Sequence, residues 1–271
     1  MAHWSLDDIP WHEFDASAVD HEIVKVVKAA CMVEHNGGDY ATYLCNVFAD
    51  DPGFCAAARH WAAEEVQHGQ ALRRWAELAD PEFDFGAAFK RFTDGYRLPL
   101  EATESVRGSR TGELVARCMV EVGTSSYYSA LGDAVREPVL KLLCRRIAQD
   151  EFRHYKLFRA HMLRYQKIEP LGLLRRARVA LGRLAEGDDD ELAFAYHCGT
   201  GGRDPYSRRR SIRAYALRAL GLYRFGHVER ALVMVLKAMG INPRRRFARW
   251  LARGAWWLLR ARLRRLAHAA A

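Results

Sequence analysis

The chain has 271 residues, 50% of them hydrophobic and few of them Gly or Pro, which suits an all-α protein with one large domain or one domain plus an appendage. The six cysteines are scattered along the chain, which predicts reduced thiols in a cytoplasmic protein, and the absence of a Cys-x-x-Cys pair argues against a rubredoxin-type iron site. We expect no signal peptide, because the N-terminus has no basic stretch followed by an apolar run. We expect no transmembrane helix, because no charge-free apolar stretch reaches about 18 residues.

The formal net charge of +9 is unevenly divided along the chain. Residues 1–170 carry 20 basic and 26 acidic residues, a net charge of −6. Residues 171–271 carry 22 basic and 7 acidic residues, a net charge of +15. This change predicts two parts, a helical bundle over 1–170 and a basic, Arg-rich helical extension over 171–271.

Four long helices are predicted in the first part. The first follows an N-cap at Asp15 or Ser17 and extends to about Ala49, where Asp50–Gly53 breaks the helical pattern. The other three are predicted at about 54–78, 111–135 and 138–166. Residues 80–108 look irregular, and a connection of this length is typical of a crossing over a bundle.

Shorter helices are predicted in the second part of the chain. They cover about 171–185, 206–222, 227–239 and 244–267. Loops are predicted at Gly187–Asp190 and Gly199–Gly202, where Gly and Asp cluster.

A Glu-x-x-His pair occurs twice, and each pair follows a lone Glu by 30 or 31 residues. The six residues are Glu34, Glu65, His68, Glu121, Glu151 and His154. In both halves, the break between helices lies midway between the lone Glu and its pair. Two antiparallel helices folded at that break would bring the carboxylates to the same height.

The residue types in this pattern predict a metal centre. Side chains at i and i+3 share a helix face, so each pair can hold one ion. Four carboxylates balance the charge of two ferrous ions, and imidazole prefers iron to magnesium or calcium. Glu-x-x-His pairs can also be solvated surface, but Glu34 and Glu121 follow apolar runs, where an unpartnered carboxylate is costly. We therefore predict an all-α, ferritin-like four-helix bundle that holds two iron ions, with manganese or a mixed centre left open.

The neighbouring residues carry a family resemblance. Trp61–Leu72 reads W-x-A-E-E-x-x-H-G-x-x-L, Ala148–His154 reads A-x-D-E-x-R-H, Glu121–Thr124 reads E-x-x-T, and Glu34–Tyr40 reads E-x5-Y. These segments, spread over about residues 23–165, resemble the soluble acyl-carrier-protein desaturases. The resemblance implies a homodimer whose diferrous centre reacts with O2. It also implies oxidation of an unactivated C–H bond, on a carrier-bound fatty acyl chain, to a double bond or an alcohol.

The resemblance also implies roles for residues beside the ligands. Thr124 would lie near the O2 pocket and relay protons, or it is an ordinary hydroxyl bonded to the helix backbone. Asp150 would orient a ligand histidine. Glu64 could do the same or lie on a solvated helix face. Gly37 and Gly38 interrupt the first predicted helix, and they could open a substrate path or allow close helix packing.

Two other functions stay open: a tRNA-modifying or small-molecule diiron hydroxylase or N-oxygenase, and a non-catalytic iron-binding or membrane-surface protein. Residues 205–271 bear on this choice because they hold 17 basic residues and one acid, Glu229. Within them, Trp256, Leu259, Leu263 and Leu266 recur at helical spacing, while Arg249, Arg253, Arg260 and Arg264 follow another face.

This basic amphipathic helix has four interpretations. It could pack on the bundle with a solvated Arg face. It could dock an acyl carrier protein or a ferredoxin-type electron donor. It could lie on anionic lipid with Trp256 and Trp257 at the interface, or hold the phosphates of a nucleic acid.

Overall fold

The computed structural model describes residues 4–186, 190–201 and 205–268, and every regular element in them is helical, which confirms the all-α prediction. The α-helices are α1 (His21–His35), α2 (Gly37–Val47), α3 (Pro52–Ala79), α4 (Phe85–Gly95), α5 (Arg110–Ala134), α6 (Pro138–Ile168), α7 (Leu173–Ala185), α8 (Asp190–Gly199), α9 (Arg208–Gly221), α10 (Phe225–Ala238) and α11 (Arg245–His268). Short 3-10 helices at Leu6–Asp8, Trp11–Glu13 and Ala16–Ala18 precede α1. None of the helices in the described ranges is both long and apolar enough to cross a membrane.

The long helices α3, α5 and α6 begin where the sequence predicts, because each has a capping side chain. Asp51 accepts a hydrogen bond from Phe54 N, and Ser109 accepts one from Gly112 N, both at 3.0 Å. Glu137 caps α6, and a proline occupies the first turn of both α3 and α6.

The first predicted helix is wrong as a single element, since it starts later and is divided in two. Asp15 caps the 3-10 helix Ala16–Ala18, whereas Asp20 caps α1. At Asn36 the helix is interrupted, and α2 follows at Gly37. A Cβ at Gly37 would lie 2.7 Å from the Cβ of Glu65, so this glycine allows close packing of α2 on α3.

Two helices were not predicted from the sequence. Residues 80–108 contain α4, whose cap Asp84 accepts a hydrogen bond from Ala87 N at 2.9 Å and whose Phe85, Ala88 and Phe92 are buried. α8 lies between the predicted loops and packs on α1 and α4. Of the predicted loop residues, Gly187–Asp189 and Gly202 lie outside the described residues.

Four long helices define the centre of the molecule. α1 packs on α3, α5 packs on α6, and α3 contacts α6. The buried apolar residues form two clusters that follow one another along α3, α5 and α6. On α3, residues 54–62 belong to one cluster and residues 71–76 to the other. Glu65 and His68 of the first Glu-x-x-His pair lie between the two clusters. The C-terminal helices cover the α1 and α5 side, where α8 contacts α1, and α7 and α10 contact α5.

Asp51 links the start of α3 to the end of α6 through hydrogen bonds. The pKa of its carboxyl group predicts how the stability of the fold changes at acid pH. Its carboxylate accepts hydrogen bonds from Phe54 N, Arg164 and, at 2.8 Å, the Tyr165 hydroxyl. Burial opposes its charge, but the bonds from Phe54 and Arg164 outweigh burial and lower the pKa of Asp51 to about 2. A lowered pKa in the folded state adds stability above the unfolded pKa near 3.8, and this stability is lost as the pH falls through about 2.

We expect this interaction to contribute about 2 kcal/mol at pH 5. Urea unfolding of the parent and of Asp51→Asn, at pH values between 5 and 2, would measure it. Asn keeps the helix cap, so the variant should lose less unfolding free energy than the parent over that interval. If the unfolding free energies of the two proteins fall in parallel as the pH is lowered, Asp51 does not stabilise the fold in this way. The matched control is Asp94→Asn, on the exposed surface of α4.

Candidate metal centre

The six predicted ligands come from four helices and meet in the interior. Glu34 belongs to α1, Glu65 and His68 to α3, Glu121 to α5, and Glu151 and His154 to α6. All six are buried, and their ligand atoms form two groups, each with atoms within 4.8 Å of one another. One group is Glu34, Glu65, His68 and Glu151, and the other is Glu65, Glu121, Glu151 and His154. Glu65 and Glu151 are common to both groups, as bridging carboxylates would be.

The Nδ1 atom of each histidine faces three carboxylates. From His68 Nδ1 the distances are 3.3 Å to Glu151, 3.8 Å to Glu34 and 3.8 Å to Glu65. From His154 Nδ1 they are 2.9 Å to Glu65, 3.7 Å to Glu121 and 3.8 Å to Glu151. The 2.9 Å approach is not aligned as a hydrogen bond.

Several of these inward-facing atoms have no hydrogen-bond partner within the described ranges. They are Nδ1 of His68 and His154, and one oxygen each of Glu65, Glu121 and Glu151. A buried polar atom without a partner is costly and rare. Unpartnered nitrogen and oxygen atoms that face one small volume fit metal cations, and the donor types suit iron or manganese. That these residues bind metal stays a prediction.

The other nitrogen of each histidine meets an acid on the opposite helix. His68 Nε2 lies 3.1 Å from Asp150 Oδ2 of α6, and His154 Nε2 lies 2.6 Å from Glu64 Oε2 of α3. A carboxylate at Nε2 keeps the proton there and leaves Nδ1 free to bind a cation. Both acids directly precede the Glu of a Glu-x-x-His pair, so the arrangement is the same in both halves.

Two further side chains hold these acids in place. Arg153 donates to Glu64 Oε1 at 3.3 Å and also to Asp150 Oδ1, so one guanidinium spans both carboxylates. Trp4 Nε1 donates to Asp150 Oδ2 at 2.7 Å. Burial opposes the charge of Asp150, but the hydrogen bond with His68 and then the bond from Arg153 outweigh burial and lower the pKa of Asp150 to about 2.

The carboxylates in the two groups differ in their tendency to ionise. Burial, and then the neighbouring Glu65, raise the pKa of Glu34 well above its usual value. Burial, and then Glu151, do the same for Glu121. For Glu65, burial opposes the charge, but the bond from Glu34 and the charge of His154 outweigh burial and lower the pKa. Crowded like charges of this kind are stabilised by bound cations.

Two hydroxyl groups contact the predicted ligands directly. Tyr128 donates to Glu34 Oε1 at 2.5 Å, and Thr124 donates to Glu151 Oε2 at 2.6 Å. The Thr124 hydroxyl also lies 3.3 Å from Val120 O, so it contacts both the centre and the helix backbone. Sequence reasoning missed Tyr128, although it follows Glu121 by seven residues, two helical turns, and therefore shares its face.

A cavity of about 260 Å³ adjoins the centre, and its lining is mostly apolar and aromatic. Glu34, Glu65 and Thr124 line it together with Tyr127, Tyr215 and Leu220, so helices from both parts of the chain enclose it. Beside the cavity, Tyr40 donates to Glu191 Oε1 at 2.5 Å. The sequence predicted the C-terminal helices but not that they close a cavity over the centre.

Asp150→Asn tests whether the orienting acids matter. Asn keeps the shape of Asp150 but removes the charge that holds the His68 proton at Nε2. We expect metal affinity to fall about 10- to 100-fold, measured by competition with a chromogenic chelator. Asp94→Asn, in an exposed ion pair with Lys90, is the control. Equal affinity in Asp150→Asn and the parent would show that this carboxylate does not tune the centre.

Two comparisons with known proteins found no relative. No protein-family model matches the chain. No curated protein matches its sequence significantly. The resemblance to the acyl-carrier-protein desaturases therefore rests on the motifs alone.

Proposed function

We propose that this protein is an O2-activating diiron oxidoreductase, with α1, α3, α5 and α6 as its ferritin-like four-helix bundle. One observation carries the proposal: two buried groups of carboxylates and imidazoles share Glu65 and Glu151 and leave inward-facing atoms unpartnered. Four carboxylates and two imidazoles from four helices are the donor set of diiron and dimanganese bundles. When bound, two ferrous ions would supply the electrons that reduce O2.

The protein's own residues prepare the centre for this chemistry. Asp150 and Glu64 fix the histidines, while Tyr128 orients Glu34 through its hydroxyl. Thr124 lies between the cavity and Glu151, so its hydroxyl can hold a proton at Glu151 Oε2 or pass one toward the cavity. The apolar lining excludes water from the reacting region.

The cavity supports an apolar substrate. Its walls offer aromatic rings and aliphatic side chains, which suits oxidation of an unactivated aliphatic C–H bond next to the centre. In keeping with the desaturase resemblance, we propose a fatty acyl chain bound to an acyl carrier protein, with a ferredoxin-type protein as electron donor. The volume of about 260 Å³ also favours a second candidate, a small apolar molecule, since sites for drug-sized ligands start at about 300 Å³.

Single-turnover oxidation tests the proposal. The iron-loaded, reduced protein would be mixed with O2 and either carrier-bound acyl chains of graded length or free small apolar molecules. Mass spectrometry then reports loss of two hydrogens, for desaturation, or gain of one oxygen, for hydroxylation. Thr124→Val should retain iron and slow the turnover, because a methyl group cannot hold the proton. If the loaded protein neither consumes O2 nor oxidises either substrate class, the proposal fails and non-catalytic iron binding is favoured.

A further inference from the structure

The last helix presents large apolar side chains to solvent. Phe247, Trp250, Trp257 and Leu258 of α11 have 46%, 67%, 62% and 62% of their surface exposed. Relative to Phe247, the other three lie 3, 10 and 11 residues further on, which places them on one side of the helix. We call these four residues the α11 stripe.

The stripe is not needed to hold α11 on the protein. The helix packs on α9 and α10, and its Ala248 and Ala252 are buried at that contact. Small side chains allow the close approach, so the large aromatic residues point away from the fold. An exposed apolar patch of this kind marks an interaction site.

Positive charge borders the stripe. Arg246, Arg253, Arg260 and Arg264 are exposed and recur at helical spacing along one edge of it. No acidic residue occurs in α11. The only acid of residues 205–271 is Glu229, and it lies 3.8 Å from Arg249, which belongs to the same side of the helix as these four arginines. The edge of the stripe therefore has an excess of positive charge.

A second helix repeats this pattern. On α7, Leu173, Leu174 and Leu181 have 47%, 86% and 60% of their surface exposed, and Arg175 and Arg178 lie among them. α7 also approaches the connection between α10 and α11, because a Cβ at Gly240 would lie 3.0 Å from Arg176 Nη2. Leu184 of α7, itself 45% exposed, lines the cavity beside the centre. α7 thus carries exposed apolar and basic residues of its own beside the cavity.

We propose that the α11 stripe and its arginine edge bind in the plane of an anionic lipid bilayer. Trp, Phe and Leu flanked by Arg are the composition of helices that lie at the headgroup boundary. The arginines would contact lipid phosphates, and the stripe would enter the acyl boundary. A nucleic acid would satisfy the arginines but leave the stripe in water, so lipid fits both features. The proposal is independent of the metal centre.

Vesicle flotation of the full-length protein tests this binding. We expect the parent to float with vesicles of phosphatidylcholine and phosphatidylglycerol, and far less with phosphatidylcholine alone. Trp250→Ser/Trp257→Ser should lower the partition coefficient more than tenfold, since it removes apolar area without changing charge. The matched control is Val106→Ser/Leu163→Ser, two residues that are 63% and 42% exposed and lie outside α7 and α11. Thermal unfolding of each variant shows that it is folded.

Several outcomes would overturn the proposal. Equal binding to neutral and anionic vesicles would show that the arginines do not contribute to binding. Unchanged flotation of the tryptophan variant would show that the stripe does not contribute either. Binding of an RNA duplex that exceeds vesicle binding, and persists in the tryptophan variant, would assign the surface to nucleic acid.

Discussion

After anaerobic loading with ferrous iron, the parent is expected to hold about two iron ions per chain, and Glu65→Ala/Glu151→Ala to hold almost none. Each of these carboxylates belongs to both buried groups, so the double substitution removes two donors from each. Glu34 belongs to one group only. Glu34→Ala should therefore lose about half of the iron. Elemental analysis by mass spectrometry measures all three proteins.

The control for this prediction is Glu82→Ala/Glu101→Ala, which removes two exposed carboxylates. It should keep the parent's iron content. Thermal unfolding of Glu65→Ala/Glu151→Ala without metal checks that this variant is folded, so that loss of iron is not loss of the fold. No iron in a folded parent would contradict the centre itself, whereas equal loss in the control would indicate non-specific binding.

Glu137→Ala is expected to destabilise the fold by about 3 kcal/mol. Glu137 is buried, with 1% of its surface exposed. It accepts hydrogen bonds from Trp75 Nε1 at 2.6 Å and from Leu140 N at 2.7 Å, so it caps α6 and ties it to α3. Alanine would leave these donors in the core without a partner. Urea unfolding of parent and variant gives the free-energy difference.

Asp84→Ala measures the effect of losing an ordinary helix cap, for comparison with the loss of the buried hydrogen bonds of Glu137. Asp84 caps α4 through one bond, from Ala87 N at 2.9 Å, on an exposed edge. Its loss should cost about 1 kcal/mol. Glu137→Gln keeps an acceptor oxygen and should recover part of the loss. If Glu137→Ala lowers the free energy of unfolding by no more than Asp84→Ala does, the hydrogen bond between Glu137 and Trp75 does not stabilise the fold.

The long helices could be predicted because their signals are local. Prolines and capping side chains mark the starts of α3 and α6, and the ends agree within two residues. The repeated Glu-x-x-His motif predicted which six residues meet, because helical rise and the position of the breaks place them at one height.

The features that were missed depend on distant contacts. Trp4 reaches Asp150 across 146 residues of sequence, and no periodicity could predict that bond. Gly37 and Gly38 indicated an interruption of the first helix, but not the contact of Gly37 with Glu65 on another helix. α8 is short and lies between glycine- and aspartate-rich segments, so its own residues gave too weak a pattern.

The two helix pairs are interdependent in a way that bears on how the protein matures. Each buried group takes ligands from both α1–α3 and α5–α6, and each histidine is fixed by an acid from the other pair. Neither half of the chain contains a complete set of donors. Under the proposed function, a growing polypeptide could not hold iron at this centre until His154 had been synthesised and α6 had docked on α3. Iron uptake would then coincide with closure of the fold, which would keep a redox-active ion away from a half-built, water-exposed chain.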